Sequence, residues 1–165
     1  HGPLQVPLPT HPNLKSISAP TAALMYESTM QYALEVDIAV FAAAVADYTV
    51  AQPELIKSKK AATEKVISLS PTRDIAATFG AQKLPHQKSI GFALETHNET
   101  TFAIEKLKKK NLDMIVLNSL QDSGAGFEHD TNQVTLFFPH KESISISLSD
   151  KKTIAQHIWS SIGTL

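Results

Sequence analysis

No cysteine occurs in the 165 residues. Disulfides, thiolate nucleophiles and Cys-ligated zinc are thereby excluded, and a cytoplasmic setting is expected. Neither sign of charge dominates. Lys and Arg number 15 against 16 Asp and Glu, the net charge is −1 and the pI is about 6.7. So balanced a chain lacks the broad basic face on which general nucleic-acid or anionic-membrane binding depends, and neither partner is expected. Long hydrophobic runs are missing too: the longest, Ile38 to Ala46, falls well short of the roughly 20 residues of a membrane span. No basic-then-apolar signal segment opens the chain. The six glycines form neither G-x-G-x-x-G nor a Walker loop. The seven histidines show no H-E-x-x-H spacing, and His129-Asp130 reads as a loop pair. No G-x-S-x-G supports a Ser-His-Asp hydrolase.

What is present is an ordinary globular composition, 42% hydrophobic and 19% charged, at a length that fits one domain over residues 1–165. The opening HGPLQVPLPTHPNLKS is rich in proline and reads as a connection between elements, so an upstream segment is expected. Residues 13–18 suit a short edge strand. Thr21 suits the cap of a helix from Ala22 to about Leu34. The run from Asp37 to Ala44 reads as a strand covered on both faces, as in a parallel sheet. EKVISLS (Glu64–Ser70) alternates like a strand, and a helix capped by Thr72 follows. KSIGFAL (Lys88–Leu94) is a second buried strand. Asn98 suits the cap of a helix whose inward stripe is Phe102, Ile104 and Leu107. LDMIVLNS is a third buried strand, QDSGAGFEHDTNQ a loop, and VTLFFPHKESISISLS two strands about a short turn. Ser149 then caps a last helix. Alternating strands and helices predict an α/β fold with a mostly parallel sheet. Ligands of such sheets sit beyond the carboxyl ends of the strands. The turns Ala44–Tyr48, Ala93–His97 and Asn118–Asp122 are therefore the places to look.

Each chemistry-bearing residue has a plain reading beside the functional one. Asp47 ends the first buried run; an acid there binds a cation or accepts hydrogen bonds from a base or sugar, or simply closes a turn. Lys57, Lys59 and Lys60 form a basic stretch with few apolar anchors, which can close over phosphates or remain a solvated charge run. Arg73, the sole arginine, opens a helix at TRDI, where free amides favour anions, or serves a surface ion pair. In GFALET, Gly91 allows a close approach, Phe92 flanks a base or sits in the core, and Glu95 shares the ambiguity of Asp47. Lys106, Lys108, Lys109 and Lys110 complement a helix dipole, although Lys106 and Lys110 share a face.

Taken together in order, AAAVADY, KSKK, RDI, GFALET and KKKNLDMIVLNS closely resemble the phosphopantothenoylcysteine synthetase domain of the bifunctional coenzyme A biosynthesis proteins. The opening GPLQVPLPTHPNLK resembles that family's proline-rich stretch after its first βα unit. The resemblance implies a Rossmann-like three-layer fold and a β-hairpin arm used in dimerisation. It implies a CTP-dependent ligase that joins 4′-phosphopantothenate to L-cysteine through an acyl-cytidylate. Carried over by motif, Phe41, Ala42 and Ala43 line the nucleotide through backbone groups, and Asp47 serves the nucleotide or its Mg2+. Lys57 reaches from the flap to the phosphates and the reacting carboxylate. Arg73, Asp74, Ile75 and Ala76 stand where the family has a Pro-Asp-Ile type helix start, with Arg73 in place of the proline. Phe92, Lys106 and Lys110 complete the pocket. A homodimer is implied, through about Glu64–Ser70 and Val134–Leu148. A flavin-dependent decarboxylase domain is implied upstream, with no FMN in this domain. The family's first βα unit, with its Gly/Ser-rich turn and asparagine, is not in this sequence. The alternative is therefore a catalytically inactive nucleotide-binding or assembly fragment of that protein.

Overall fold

The computed structural model describes residues 1–3, 7–54, 56–57, 59, 64–95, 97–119 and 130–165. The elements run α1 (Ala22–Gln31), β1 (Ile38–Phe41), β2 (Tyr48–Val50), β3 (Leu69–Pro71), α2 (Ile75–Gln82), β4 (Lys88–Glu95), α3 (Glu99–Lys109), β5 (Met114–Ser119), β6 (Thr131–Phe137), β7 (Ile144–Asp150) and α4 (Lys151–Ile162). Two compact units share them. One contains residues 1–29 and 43–74, the other residues 30–42 and 75–165.

The larger unit is built on a sheet in the order β1-β4-β5-β6-β7. β1 and β5 run parallel to β4, while β6 is antiparallel to β5 and β7 antiparallel to β6. Only β6 therefore opposes the common direction, and the expected mostly parallel α/β sheet is present. Short unbroken apolar runs, IGFAL in β4 and MIVL in β5, make these strands central, because a strand covered on both faces has no room for polar alternation. On one face Ile90, Met114, Val116, Val134, Leu136 and Ile146 pack against Ile154, Ile158 and Ile162 of α4. Those three lie four residues apart, one per helical turn. On the other face Ala93, Ile115 and Leu117 meet Ala103 and Leu107 of α3 and the following Leu112. Each buried aliphatic side chain contributes about 1.5–3 kcal/mol. The inward stripe of α3 is thus Ala103 and Leu107, with Phe102 and Ile104 half-buried rather than central.

Two glycines allow close packing on the α3 face. A Cβ on Gly91 would lie 2.6 Å from Leu112 Cδ1, so this strand glycine makes room for a core side chain and not for a ligand. A Cβ on Gly80, in α2, would lie 1.9 Å from the backbone oxygen of Lys110, so α2 and the end of α3 touch backbone to helix.

β1 departs from expectation. It is the edge strand of this sheet, and Ile38 and Val40 are 36% and 46% exposed instead of covered on both faces. α1 also stops early. The buried Gln87 donates through Nε2 to the carbonyls of Ala33 (2.8 Å) and Val36 (2.5 Å), which holds the chain after Gln31 in a turn. Two caps differ by their chemistry. Asn98 adopts φ 46° without a side-chain cap bond. Asp150, not Ser149, caps α4, accepting from Thr153 N at 2.9 Å.

In the smaller unit β2 and β3 pair antiparallel, Tyr48 opposite Pro71 and Val50 opposite Leu69. The strand expected over Glu64–Ser70 shrinks to Leu69–Pro71, because the ladder ends where Ala51 N donates to Ser68 O at 2.9 Å. Residues 13–18 form no strand and carry no sheet partner among the described residues. Lys60, Thr96 and residues 120–129, with most of the Asn118–Asp122 turn and His129, lie outside the described residues.

Candidate functional site

In the larger unit the carboxyl edge of β4 and β5 gathers charge. β4 ends at Glu95, in register with Ser119, the last residue of β5. α3 starts at this edge and runs back along the sheet toward the amino edge, and its last turn carries Lys106, Lys108 and Lys109, which complement the negative end of the helix dipole. Lys106 does more than that. Its Nζ lies 2.5 Å from Glu95 Oε1, with the carboxylate side chain only 15% exposed and the lysine 43% exposed. Lys110 follows one turn on, its amide donating to Lys106 O at 3.0 Å. The structure therefore places Lys106 and Lys110 on one face of α3. Phe92 lies on the opposite side of the sheet, packed against the core beneath α4. Phe41 ends β1 with its ring edge-on to Phe79 of α2, at a centroid distance of 5.6 Å. Ala42 follows it, exposed. Ile75 is buried at the start of α2, and Ala76 packs against the α3-side core.

The smaller unit carries Ala43, Asp47, Lys57, Arg73 and Asp74. Asp47 does not end a buried strand. It precedes β2, with its side chain exposed and its carbonyl accepting from Thr72 N at 2.8 Å. The Thr72 hydroxyl, expected as a helix cap, instead donates to Ala46 O at 2.6 Å. These two bonds fix the Asp47 backbone against the end of β3 and leave its carboxylate facing water. The guanidinium of Arg73 stacks over the ring of Tyr26 at 4.5 Å. A cavity of about 220 Å³ lies beside this pair, lined by Thr21, Tyr26, Glu27, Thr49, Thr72 and Arg73 among others. Lys57 and Lys59 are exposed on the excursion between β2 and β3, which has no helix or strand among its described residues. An ion pair of Lys65 Nζ with Glu54 Oε1, at 2.6 Å, clasps that arm above its base.

No group of three metal-ligating side chains occurs among the described residues. A lone carboxylate still fits one cation chemistry. Magnesium keeps its waters and commonly takes one or two carboxylates plus the phosphates of a nucleotide. Asp47 suits that mode and not a protein-only cage.

The amino edge of the same sheet is organised differently. Asp113 Oδ2 accepts from Lys83 Nζ (2.5 Å), Ser89 N (2.7 Å) and Ser89 Oγ (3.0 Å). Burial raises the Asp113 carboxyl, but the hydrogen bonds from Lys83 and Ser89 and the Lys83 charge outweigh it and hold the group below the usual carboxylate value. This cluster and the Glu95–Lys106 and Arg73–Tyr26 pairs were not legible in the sequence, since their members are 6 to 47 residues apart and share no periodicity.

Helices on both faces of a largely parallel sheet, with the Lys106 ammonium held at its carboxyl edge by Glu95, define an α/β domain of the kind that takes small ligands there. The family can be given more closely. Over residues 1–165 the chain matches, and belongs to, the DNA/pantothenate metabolism flavoprotein C-terminal domain family. It is 34% identical over 167 residues to the Coenzyme A biosynthesis bifunctional protein CoaBC of Vibrio vulnificus, covering 99% of this chain and 41% of that protein. It is 45% identical over 157 residues to a Cysteine/Cysteine sulfinic acid decarboxylase of an unknown prokaryotic organism, covering 95% of this chain and 44% of that protein. The crystal structure of the C-terminal domain of CoaBC superposes with a TM-score of 0.78 at 33% identity, over 98% of this chain and 69% of that one. The chain thus spans less than half the length of these two relatives.

Proposed function

We propose that this chain is a CTP-dependent ligase domain that joins 4′-phosphopantothenate to L-cysteine in coenzyme A biosynthesis. The observation that carries this reading is the match of nearly all of this chain to the C-terminal part of CoaBC in both sequence and fold. In the first step the substrate carboxylate oxygen bonds to the α-phosphorus of CTP and the bond to the β-phosphate oxygen breaks, releasing pyrophosphate. In the second the cysteine amine attacks the acyl carbon, the amide forms and CMP leaves. Lys57, exposed on the arm, neutralises charge on the phosphates and the attacking carboxylate. Lys106 and Lys110 hold phosphate or ribose oxygens, the first turn of α2 after Arg73-Asp74 offers amide donors, and Phe41 to Ala43 offer backbone groups. Asp47 would be the carboxylate that holds a magnesium ion, whose charge would screen the triphosphate.

The chain also acts as a homodimer in this reading. Tyr48, Val66, Ile67 and Leu69 of the smaller unit are 58–88% exposed, a concentration of bare apolar surface that suits burial against a second copy.

Calorimetry tests the nucleotide assignment: CTP binds, ATP binds much more weakly, magnesium strengthens binding, and Asp47→Ala weakens it about tenfold or more. Equal affinity for the two nucleotides, or an unaffected Asp47→Ala, refutes it. The more similar relative supports a second reading, a nucleotide-binding or assembly domain within a protein that decarboxylates a cysteine-type amino acid. Pyrophosphate release from CTP that requires both 4′-phosphopantothenate and cysteine separates the two.

A further inference from the structure

We infer that Glu95 is a positioning residue that holds the Lys106 ammonium at the carboxyl edge of the sheet, ready for an anionic oxygen of the nucleotide. This rests on the ligase reading for the identity of the ligand, but not for the contact itself. Glu95 is the last residue of β4, and its backbone is fixed by pairing with β5. Its side chain is largely covered, whereas Lys106 projects from α3 and is nearly half-exposed. The carboxylate is therefore the anchor and the lysine the mobile partner. An unanchored lysine samples many rotamers, and a ligand that captures it must offset that freedom. Glu95 removes most of the freedom in advance. An ammonium has three donors, so contact with one carboxylate oxygen leaves two for the ligand. Lys110, one turn on, adds a second cation on the same face. The charge of Glu95 also offsets that of Lys106 while no nucleotide is bound, so the ion pair works partly against the triphosphate. Its gain is geometric, and the amide of Gln, which keeps an acceptor without the charge, separates the two effects.

The test has two arms on the full 165-residue chain. In the first, without nucleotide, 15N NMR of lysine side chains finds the Lys106 NH3+ group slowed in hydrogen exchange and ordered. Glu95→Ala abolishes this and Glu95→Gln keeps part of it. A Lys106 signal indistinguishable from those of Lys108 and Lys109 in the wild type overturns the inference. In the second, CTP affinity falls about fivefold in Glu95→Ala from the freed rotamers, and recovers in Glu95→Gln. Glu95→Ala then has no further effect in a Lys106→Met background, a non-additivity that a merely structural role would not produce. Additive losses overturn the inference. Weaker binding by Lys106→Met with none by Glu95→Ala sinks the positioning role and spares the ligase reading. A wild-type chain that binds no CTP but still shows the ordered ammonium sinks the ligase reading and spares the contact.

Discussion

Gly80→Ala is the sharpest test of how the lysine-bearing end of α3 is seated. Gly80 lies inside α2, where alanine is normally the better residue by about 1 kcal/mol. The local prediction is therefore stabilisation. The structure predicts the opposite. The new Cβ would lie 1.9 Å from Lys110 O, 3.0 Å from Lys110 C and 3.3 Å from Asn111 O, all backbone atoms that cannot rotate away. A normal carbon–oxygen contact is about 3.3 Å, so α2 must retreat by roughly 1.4 Å. The retreat strains the hydrogen bond from Asn111 Nδ2 to Gly80 O, now 2.7 Å. Overpacking of this kind costs about 1–3 kcal/mol and the strained bond about 1 kcal/mol more. Set against the propensity gain, a net loss of about 2 kcal/mol remains, equivalent to a fall in Tm of roughly 4–8 °C for a chain of this size. Scanning calorimetry and urea unfolding measure it directly. A variant as stable as wild type, or more so, refutes the close approach of α2 to the end of α3. Because the displaced atoms belong to Lys110, CTP affinity should fall as well.

Asp113→Asn leaves the Lys83 ammonium, 12% exposed, without its counter-charge and should cost about 3 kcal/mol. The pH dependence follows from the lowered Asp113 carboxyl: its contribution is complete above the ordinary carboxylate value of about 4 and is lost as pH falls through the lower folded value. Urea melts between pH 6 and 3 should show that acid-side loss in wild type and a smaller one in Asp113→Asn. Gln87→Leu strips a buried donor from the Ala33 and Val36 carbonyls and should cost about 2 kcal/mol, read as a drop in the urea midpoint at unchanged slope. Val66→Lys with Ile67→Lys places charges on the bare apolar surface and should shift the protein from dimer to monomer in sedimentation; an unchanged mass excludes that surface as the interface.

What could be read without coordinates was whatever depends on near neighbours. β4 and β5 announce themselves by compact apolar runs, and α4 by isoleucines one turn apart. Their burial needs no knowledge of what lies beside them. β1 has the same composition, but its cover depends on which strands flank it, and composition does not carry strand order. The end of α1 is set by Gln87, more than 50 residues away. The capping of α4 falls one residue later than expected because two good caps, Ser149 and Asp150, adjoin, and the Ser149 hydroxyl is turned back to donate to Ser147 O while Asp150 accepts from Thr153 N. At the site, Lys106 and Lys110 could be paired by helical spacing, whereas the partner of Lys106 could not, since strand and helix are joined by a turn of unknown path. Phe92 illustrates the reverse: its motif assigns it to the same pocket, and the pleat sends its side chain to the other face.

On the proposed reading, the two edges of the central sheet divide the polar residues between stability and ligand capture. At the amino edge Gln87, Ser89, Lys83 and Asp113 are covered and bonded to one another or to backbone. No buried side-chain nitrogen or oxygen lacks a partner among the described residues, so nothing there waits for a ligand. At the carboxyl edge Lys106 is tethered by one carboxylate and otherwise faces solvent. Groups already satisfied inside the protein stabilise it but gain nothing by binding, whereas a tethered, hydrated cation gains from exchanging water for phosphate. Substitutions at the two edges should therefore separate cleanly. Asp113→Asn should lower Tm with CTP affinity unchanged, and Lys106→Met should lower CTP affinity with Tm nearly unchanged. A variant at the amino edge that weakened CTP binding without loss of stability would mean that the ligand enters from the side assigned here to the fold.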